Sequence, residues 1–568
     1  MGITYLTKHL LPYADTVKLG HGKADGLPRI RSIVIDGPSL VYHVYYRLLA
    51  WTDTSIDVLD IQPTCDEVSR GFVSFLLGLG QRGVEITNIC FDGALPMVKR
   101  DIRLARIEKS RQRLELCRRR SHFSSQSEYR TETVIQPAQL WQSRHLPARW
   151  RNMPENIFMV SAVFEDLQHR WNHERILRDF QQNARFLTGT SEFPWAAMTT
   201  MTQGEADLEC ARVSRLTGSA VLTDDSDLVV HDLGPHGAVI MLNSMQLLDD
   251  PENLIDSEIR GLRLHPKQIC RQLGIENIQL FAYNLKQNPR LGVPELLRRT
   301  KEGLGAGEIS ISYDTFLEEY QHPTPELGIS ANHQSLDPRV SELVWQYQRP
   351  DLYCDAEAPH MYLGILHEDP SRRCAWEQGR ALRALAYSLL GLSQLAARRL
   401  PVVNEFVRRG GRIVAEHITL AGATTISSDM TTLRNRLDQA QLVFETDVQP
   451  SFWILFALSE IYRDNSSNTT NPSAVQLQRF LWCGFMGKTT EWADIHLMAQ
   501  IQAVLYSLRV LWQLVLITTD IDTSALRLST LAELPPLYIL VGSRHAMTRA
   551  FSEELARQSV QKLFRAYN

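Results

Sequence analysis

The sequence predicts an α/β fold: an open, mostly parallel sheet with helices on both sides, interrupted by a long insertion and followed by an all-α C-terminal half. Three observations predict it. Short apolar runs, Ser32–Ile35, Val84–Phe91 and Ala220–Leu222, are each followed closely by acids, at Asp36, at Asp92 and at Asp224, Asp225 and Asp227. Such runs read as buried parallel strands, which need crossover helices between them. Strand and helix spacing then alternate along the chain, as a layered α/β sheet requires. Beyond Val340 the apolar spacing is helical nearly throughout.

Composition narrows the function classes. The 568 residues make room for roughly two to four domains. A hydrophobic share of 44% fits a globular protein with a sizeable core, and a net charge of −4 excludes one that is basic all over. Any nucleic-acid contact must therefore rest on local positive charge. The eight cysteines show no CxxC pair and no regular spacing, so free thiols in a reducing compartment are expected and a zinc site is not. The opening MGITYLTKHLLPYADTV is neither a signal nor a transit peptide, and Leu6 stands where myristoylation wants Ser or Thr. The most apolar stretch, Ala503–Thr518, is broken by Arg509 and is too short to span a bilayer. A soluble intracellular protein without membrane contact is expected.

Each element follows in order. Ser32–Ile35 delivers Asp36 at a strand's C-terminal end, and Leu40–Trp51 continues as an aromatic-rich helix. Val84–Phe91 repeats the device with Asp92-Gly93. Either acid alone reads most simply as a cap on the next helix or turn. The stretch Gln203–Leu228 changes that reading: Glu205 and Asp207 open a helix, and Asp225 and Asp227 follow the next strand. Carboxylates gathered so closely repel one another unless cations neutralise them. With Cys210 the only soft donor nearby, the implied ions are hard, Mg²⁺ or Mn²⁺. Two such ions in a carboxylate cleft are the usual equipment for phosphodiester hydrolysis.

Between Val98 and Arg120 stand ten Lys and Arg residues against three acids, in a chain that is net acidic. A charge run is most often a solvated helical face. Unopposed charge of one sign nevertheless asks for an anionic partner, and phosphates meet that demand. Ser121–Arg151 is polar and aperiodic, whereas Pro154–Phe186 reads helical, with Phe158, Val163, Leu167 and Trp171 in one apolar stripe. Trp141, Trp150 and Trp171 could stack bases, but packing is the commoner role for such residues and is expected here. Phe193–Met201 and Ala238–Leu242 read as further strands. There is no P-loop, no G-x-S-x-G elbow and no HExxH, and Asp36-Gly37-Pro38 after the first strand lacks the DxDx[TV] motif that an aspartyl-phosphate phosphatase would need there.

The initial MGI, VIDGPSLVYHVY around Asp36, CFDGALP around Asp92 and QGEADLECA…LTDDSDL resemble the flap-endonuclease/XPG group of structure-specific nucleases. With FMVSAVFEDL and SDLVVHDLG, the wording looks most like the asteroid branch of that group, in fungal form. The resemblance covers roughly residues 1–290 and implies a PIN-like α/β/α core. It implies that Asp36, Asp92, Glu205, Asp207, Asp225 and Asp227 hold two Mg²⁺ or Mn²⁺ ions. It further implies that Lys99 and Arg106 steer the scissile phosphate, with Arg103 on the same helical face. Gly2 would sit near the site, and Arg100, Lys109, Arg111 and Arg113 would touch nucleic acid.

One position departs from the family pattern. Where a seventh acid is expected this chain has Asn284, which can ligate a hard cation but brings no charge. Two readings follow. The first is a metal-dependent nuclease of branched or single-strand-tailed DNA, acting in nuclear repair. The alternative is a catalytically attenuated relative that binds DNA or RNA or scaffolds a complex. The expected organisation is a core of 1–92 and 196–309, a basic helix and arch or clamp insertion at 93–195, a linker at 310–339, and a helical domain at 340–568 that extends the substrate platform or binds a protein partner.

Overall fold

The computed structural model describes residues 3–21, 26–52, 62–120, 135–184, 187, 191–248, 258–303, 308–320, 335–350, 358–395, 399–445, 450–464, 471–484, 491–518, 529–540 and 544–567. Its main sheet is built from β1 (Asp15–Leu19), β2 (Arg29–Ile30), β3 (Ser32–Asp36), β4 (Glu85–Phe91), β5 (Thr199–Met201), β6 (Ala220–Thr223), β7 (Val239–Met241), β8 (Gln246–Leu248) and β9 (Glu258–Leu264). The order is β2-β1-β9-β7-β6-β3-β4-β5, with β8 paired to β9. From β7 to β5 every pairing is parallel, and β9 runs antiparallel to β1, β7 and β8. Strand β3 lies between β4 and β6, so the three acid-bearing strand ends open on one edge of the sheet. Strands β3 and β6 are almost wholly buried and β4 is buried over its last three residues, which is why they read as apolar runs.

Three expected elements change. The strand read at Phe193–Met201 is only Thr199–Met201, because a turn at Ala196–Met198 precedes it and Thr199 bonds back to the Trp195 carbonyl. The C-terminal half is largely helical, but it also carries a three-stranded sheet, which corrects the all-α expectation. Its strands are β10 (His360–Tyr362), β11 (Val402–Arg409) and β12 (Arg412–Thr419). The last two form a hairpin through Gly410-Gly411, with Gly410 at φ 56°, the positive value a two-residue hairpin turn demands. Helix Glu308–Glu318 also falls within the stretch expected as linker, and it packs Tyr313 and Phe316 against Tyr283.

The two halves share one core. A single buried cluster runs from Val17 to Leu563. Helix Met159–His169 joins them: Phe164 meets Phe91 in the main sheet, while Glu165 bonds Arg509 at 2.6 Å on the far side. Trp141, Trp150 and Trp171 are 2%, 1% and 0% exposed, so all three pack. Among the described residues, the segment expected to arch over the site therefore lies within the core; its apolar stripe is spent on packing. Helix Trp492–Ile517 incorporates most of the apolar stretch read as Ala503–Thr518. By length and composition it could cross a bilayer, but most of it is buried inside the protein.

Candidate active site

Each acid reaches the cleft by a local device. Asp36 ends β3 and caps helix Gly37–Trp51, accepting from the Ser39 amide at 3.1 Å and the Thr223 hydroxyl at 2.7 Å. The simple capping reading is therefore correct, and it coexists with the cluster. Asp92 follows β4 and accepts from the Ala206 amide at 2.8 Å, so it caps the start of helix Ala206–Thr217. Glu205 is that helix's N-cap residue, and Asp207 lies in its first turn. Asp225 follows β6 and accepts from the Asp227 amide at 2.9 Å. Asp227 accepts from the Ile3 amide at 2.8 and 2.9 Å. Gly2 itself lies outside the described residues.

The glycine after each strand-end Asp has a steric reason. A Cβ on Gly37 would stand 2.7 Å from the Phe91 ring, and one on Gly93 would stand 1.8 Å from the Thr202 carbonyl oxygen. Only a residue without a side chain lets these turns close so tightly. The Gly93 and Ala94 amides bond the carbonyls of Gly204 and Gln203, which fastens the loop after Asp92 to the residues before Glu205.

Electrostatics tie the acids into one group. Burial pushes Asp36 up to about 7, and the Asp92 and Asp225 carboxylates add to the rise against the Thr223 and Ser39 hydrogen bonds. Asp207 is raised well above the usual carboxylate range, first by burial and then by Asp36, Asp225, Asp92 and Glu205. Asp227 is raised to about 6 by burial and by Asp225. Burial also raises Asp92, against the Ala206 amide and Arg103, Arg106 and Lys99. It raises Glu205 too, although Lys99 Nζ lies 2.5 Å from that carboxylate.

A donor set made of oxygens, each raising its neighbours, fits hard divalent cations. Among the described residues no three His, Cys, Asp or Glu side chains are set, as they stand, to hold one ion. The reason is visible in the contacts: backbone amides, the Thr223 hydroxyl and Lys99 already engage most of the carboxylates. Asp224, the remaining acid of the run, points elsewhere, with its carboxylate 3.5 Å from His43 Nδ1. Asn284 donates to Thr300 Oγ1 at 3.3 Å.

The basic helix Arg100–Arg120 has two faces. One docks on the C-terminal half. Arg100 lies 5.3 Å over the Phe406 ring, Arg103 lies 4.3 Å over the Tyr362 ring, and Arg118 lies 5.0 Å over the Trp492 ring. Ile107 and Leu114 join Ile413 and Trp492 between them. These positions recur at helical spacing, so cation–π contacts stand in for an apolar stripe. Arg103 also pairs with Glu342, and Arg118 with Asp369 at 3.4 Å. Arg111 is taken up by Glu108 and Glu115 at 2.6 and 2.5 Å. The second face is open: Arg106, Lys109 and Arg120 are exposed, Arg113 pairs with Glu155, and Lys99 turns to Glu205.

Glu342 and Tyr362 hold the Arg103 guanidinium on the C-terminal half, and its charge still acts on Asp92 together with those of Arg106 and Lys99. Arg100 and Arg111 likewise lie on the docked or self-paired side. The sequence reading also missed Tyr42, whose ring is 41% exposed yet ringed by Glu155, Arg339, Arg106 and Asp92. An accessible ring so surrounded marks a recess. Arg339, on helix Pro338–Gln348, brings the C-terminal half to that recess and bonds the Ile157 carbonyl at 2.7 Å. The aromatic run after Asp36 was the available signal for Tyr42; Arg339 left none.

Comparison with known families agrees with this geometry. Residues 155–420 match a family model described as XPG domain containing, so this part of the chain is similar to XPG domains. The matched span includes Glu205, Asp207, Asp225 and Asp227, and it continues through Arg339, Glu342 and the β11–β12 hairpin. No curated protein matches the chain.

Proposed function

We propose that the protein is a divalent-metal-dependent, structure-specific nuclease that hydrolyses phosphodiesters in branched or single-strand-tailed DNA, in nuclear repair and as an asteroid-type member of its superfamily. The observation that carries this reading is the group of carboxylates at the ends of β3, β4 and β6 and at one helix start, in which Asp36, Glu205, Asp207 and Asp227 are each raised in part by a neighbouring carboxylate. Asp36, Asp92, Glu205, Asp207, Asp225 and Asp227 would hold two Mg²⁺ or Mn²⁺ ions, which supply Lewis acidity and neutralise phosphate charge. Lys99 and Arg106 border the cluster and offset negative charge on a phosphodiester placed there. Asp36 and Asp92, fixed by helix-capping bonds, keep the cleft's geometry with or without substrate. The exposed Tyr42 ring offers an apolar surface to a base beside the cleft.

The two faces of the basic helix give different results under salt. Replacing Arg106 or Lys109 by Gln should reduce the dependence of affinity on salt by about one phosphate contact each, a change of roughly 0.7 in the log–log slope for a single strand. Arg118→Gln should leave that slope unchanged and lower the melting temperature instead. Titrations of a labelled single-strand-tailed duplex at several salt concentrations separate the two sets. Equal slopes for all three variants would place the substrate elsewhere.

The cluster also sets a pH dependence. A buried acid with a raised pKa binds its proton more tightly in the folded chain than in the unfolded one, so stability falls as pH rises between the two values. For Asp36 that interval runs from 3.8 to about 7. Without metal, the melting temperature should therefore fall from about pH 4 to about pH 7, and Mg²⁺ or Mn²⁺ should restore it most at the upper end. Thermal melts across this range, with and without metal, measure both effects.

One observation favours a second reading, in which the chain binds DNA or RNA or scaffolds a complex without efficient cutting. Asn284 brings no charge, and its amide is engaged by Thr300. Asn284→Asp should raise cleavage if the site is merely attenuated. An unchanged rate would remove position 284 from the account.

A further inference from the structure

The loop that follows Asp92 is fixed from two sides. On the inner side the Gly93 and Ala94 amides bond the carbonyls before Glu205 at 2.9 and 3.2 Å. On the outer side stands Glu342, from a helix 239 residues beyond Arg103. Its carboxylate is 5% exposed and accepts from the Leu95 amide and from Arg103. Burial raises Glu342, while Arg103 and the Leu95 amide work against that rise, so the contacts favour the charged form.

Behind Arg103 lies a stack. Its guanidinium sits over Tyr362, and Tyr362 lies parallel to Phe406, with ring centres 5.0 Å apart and planes 8° apart. The neighbouring space is an open recess bordered by Leu95, Pro96, Met97 and His360, where polar contacts to Glu342 reach the loop. Two bonds to the Glu342 carboxylate cross this side, from the Leu95 amide and from Arg103. They connect the C-terminal half to the loop bearing Asp92 and, through the first turn of the basic helix, to Lys99 and its bond to Glu205.

We propose that Glu342 is a positioning residue of the active site: it sets the Asp92 loop and the start of the basic helix, so the C-terminal half is part of the catalytic unit. This rests on the nuclease reading. Glu342 touches no substrate and acts through Leu95 and Arg103, which predicts a loss in kcat with little change in KM.

The test uses the full chain and a labelled 5′-flap duplex with Mg²⁺, at a temperature well below each variant's melting point. Glu342→Gln keeps the shape and can still accept from Leu95, but it loses the charge that holds Arg103. It should lower kcat by about tenfold or more while KM moves by about twofold or less. In a double-mutant cycle, Arg103→Gln with Glu342→Gln should be no slower than Arg103→Gln alone. Full kcat in a folded Glu342→Gln, or additive losses in the cycle, would overturn the proposal.

Hydrogen exchange at Gly93–Leu95 reads the same contact without cleavage. Faster exchange at Leu95 is expected in Glu342→Ala, which removes the acceptor as well as the charge, and unchanged exchange in that variant would also overturn the proposal. If the wild type cuts nothing yet this exchange rises, the nuclease reading falls and the positioning contact stands.

Discussion

Asp92→Ala and Asp225→Ala should each lower cleavage by about 10³-fold or more and leave affinity for a flap substrate within a few-fold of wild type, if the proposed function holds. The two acids reach the cleft from different strands and perturb the same neighbours: Asp92 and Asp225 both raise Asp36 and Asp207. Removing either leaves a donor set one charge short. On the proposed function, affinity would rest instead on phosphate contacts along the open face of the basic helix, which neither substitution touches. Stability should move in the opposite direction from activity. Asp207 gains nothing from its field in the metal-free chain, so Asp207→Asn should raise the melting temperature without metal while eliminating cleavage. A destabilised Asp207→Asn would mean that the carboxylates are not held against one another.

Arg383→Ala carries the largest expected loss of stability, about 3–5 kcal/mol. Arg383 and Glu405 are both 0% exposed and pair at 2.6 and 3.0 Å. The guanidinium also bonds Ser507 Oγ at 2.8 Å and the Trp376 carbonyl at 2.8 Å, while Tyr387 donates to Glu405 at 2.8 Å. Truncation strands the Glu405 charge in the core and unties helix Arg380–Ser393, β11 and helix Trp492–Ile517 together. Urea unfolding followed by tryptophan fluorescence measures the loss. Arg383→Met with Glu405→Leu should recover most of it, because no charge is then left buried. Cleavage should suffer as well, since β11 carries Phe406 beneath Arg100 and Tyr362.

The main sheet was legible because its central strands are buried on both faces and end in acids. That combination makes Ser32–Asp36, Glu85–Phe91 and Ala220–Thr223 stand out as apolar runs with charged ends. The β11–β12 hairpin was not legible for the opposite reason. Glu405 and Arg408 face inward as satisfied ion pairs with Arg383 and Glu368, so the alternation of apolar and polar positions is broken where a strand should show it. The docking of the basic helix was hidden similarly. Arginines over Phe406, Tyr362 and Trp492 do the work of leucines, and in sequence such a helix looks solvated on every face.

The six acids were readable from strand ends and spacing, and the structure draws them into one field. The residues that complete the cleft were not readable, because they lie far away along the chain. Glu342 and Arg339 sit in a helix whose own pattern only reports burial, and nothing local links them to Asp92 or Tyr42. The helical part of the segment expected as an arch is packed into the core, while residues 121–134 of that segment lie outside the described residues. A segment with Phe158, Val163, Leu167 and Trp171 on one side gains more by burial against helix Cys65–Gln81 and the C-terminal half than by standing over the site.

The most direct test is cleavage of a labelled panel, comprising single strand, 5′ flap, 3′ flap, 3′ overhang and blunt duplex. Each is incubated with Mg²⁺, Mn²⁺ or EDTA, for the wild type and for Asp225→Ala. The account predicts cutting of at least one branched or tailed substrate, dependent on metal and lost in Asp225→Ala. Cutting that persists in EDTA or in Asp225→Ala, or binding without cutting in either metal, would contradict it.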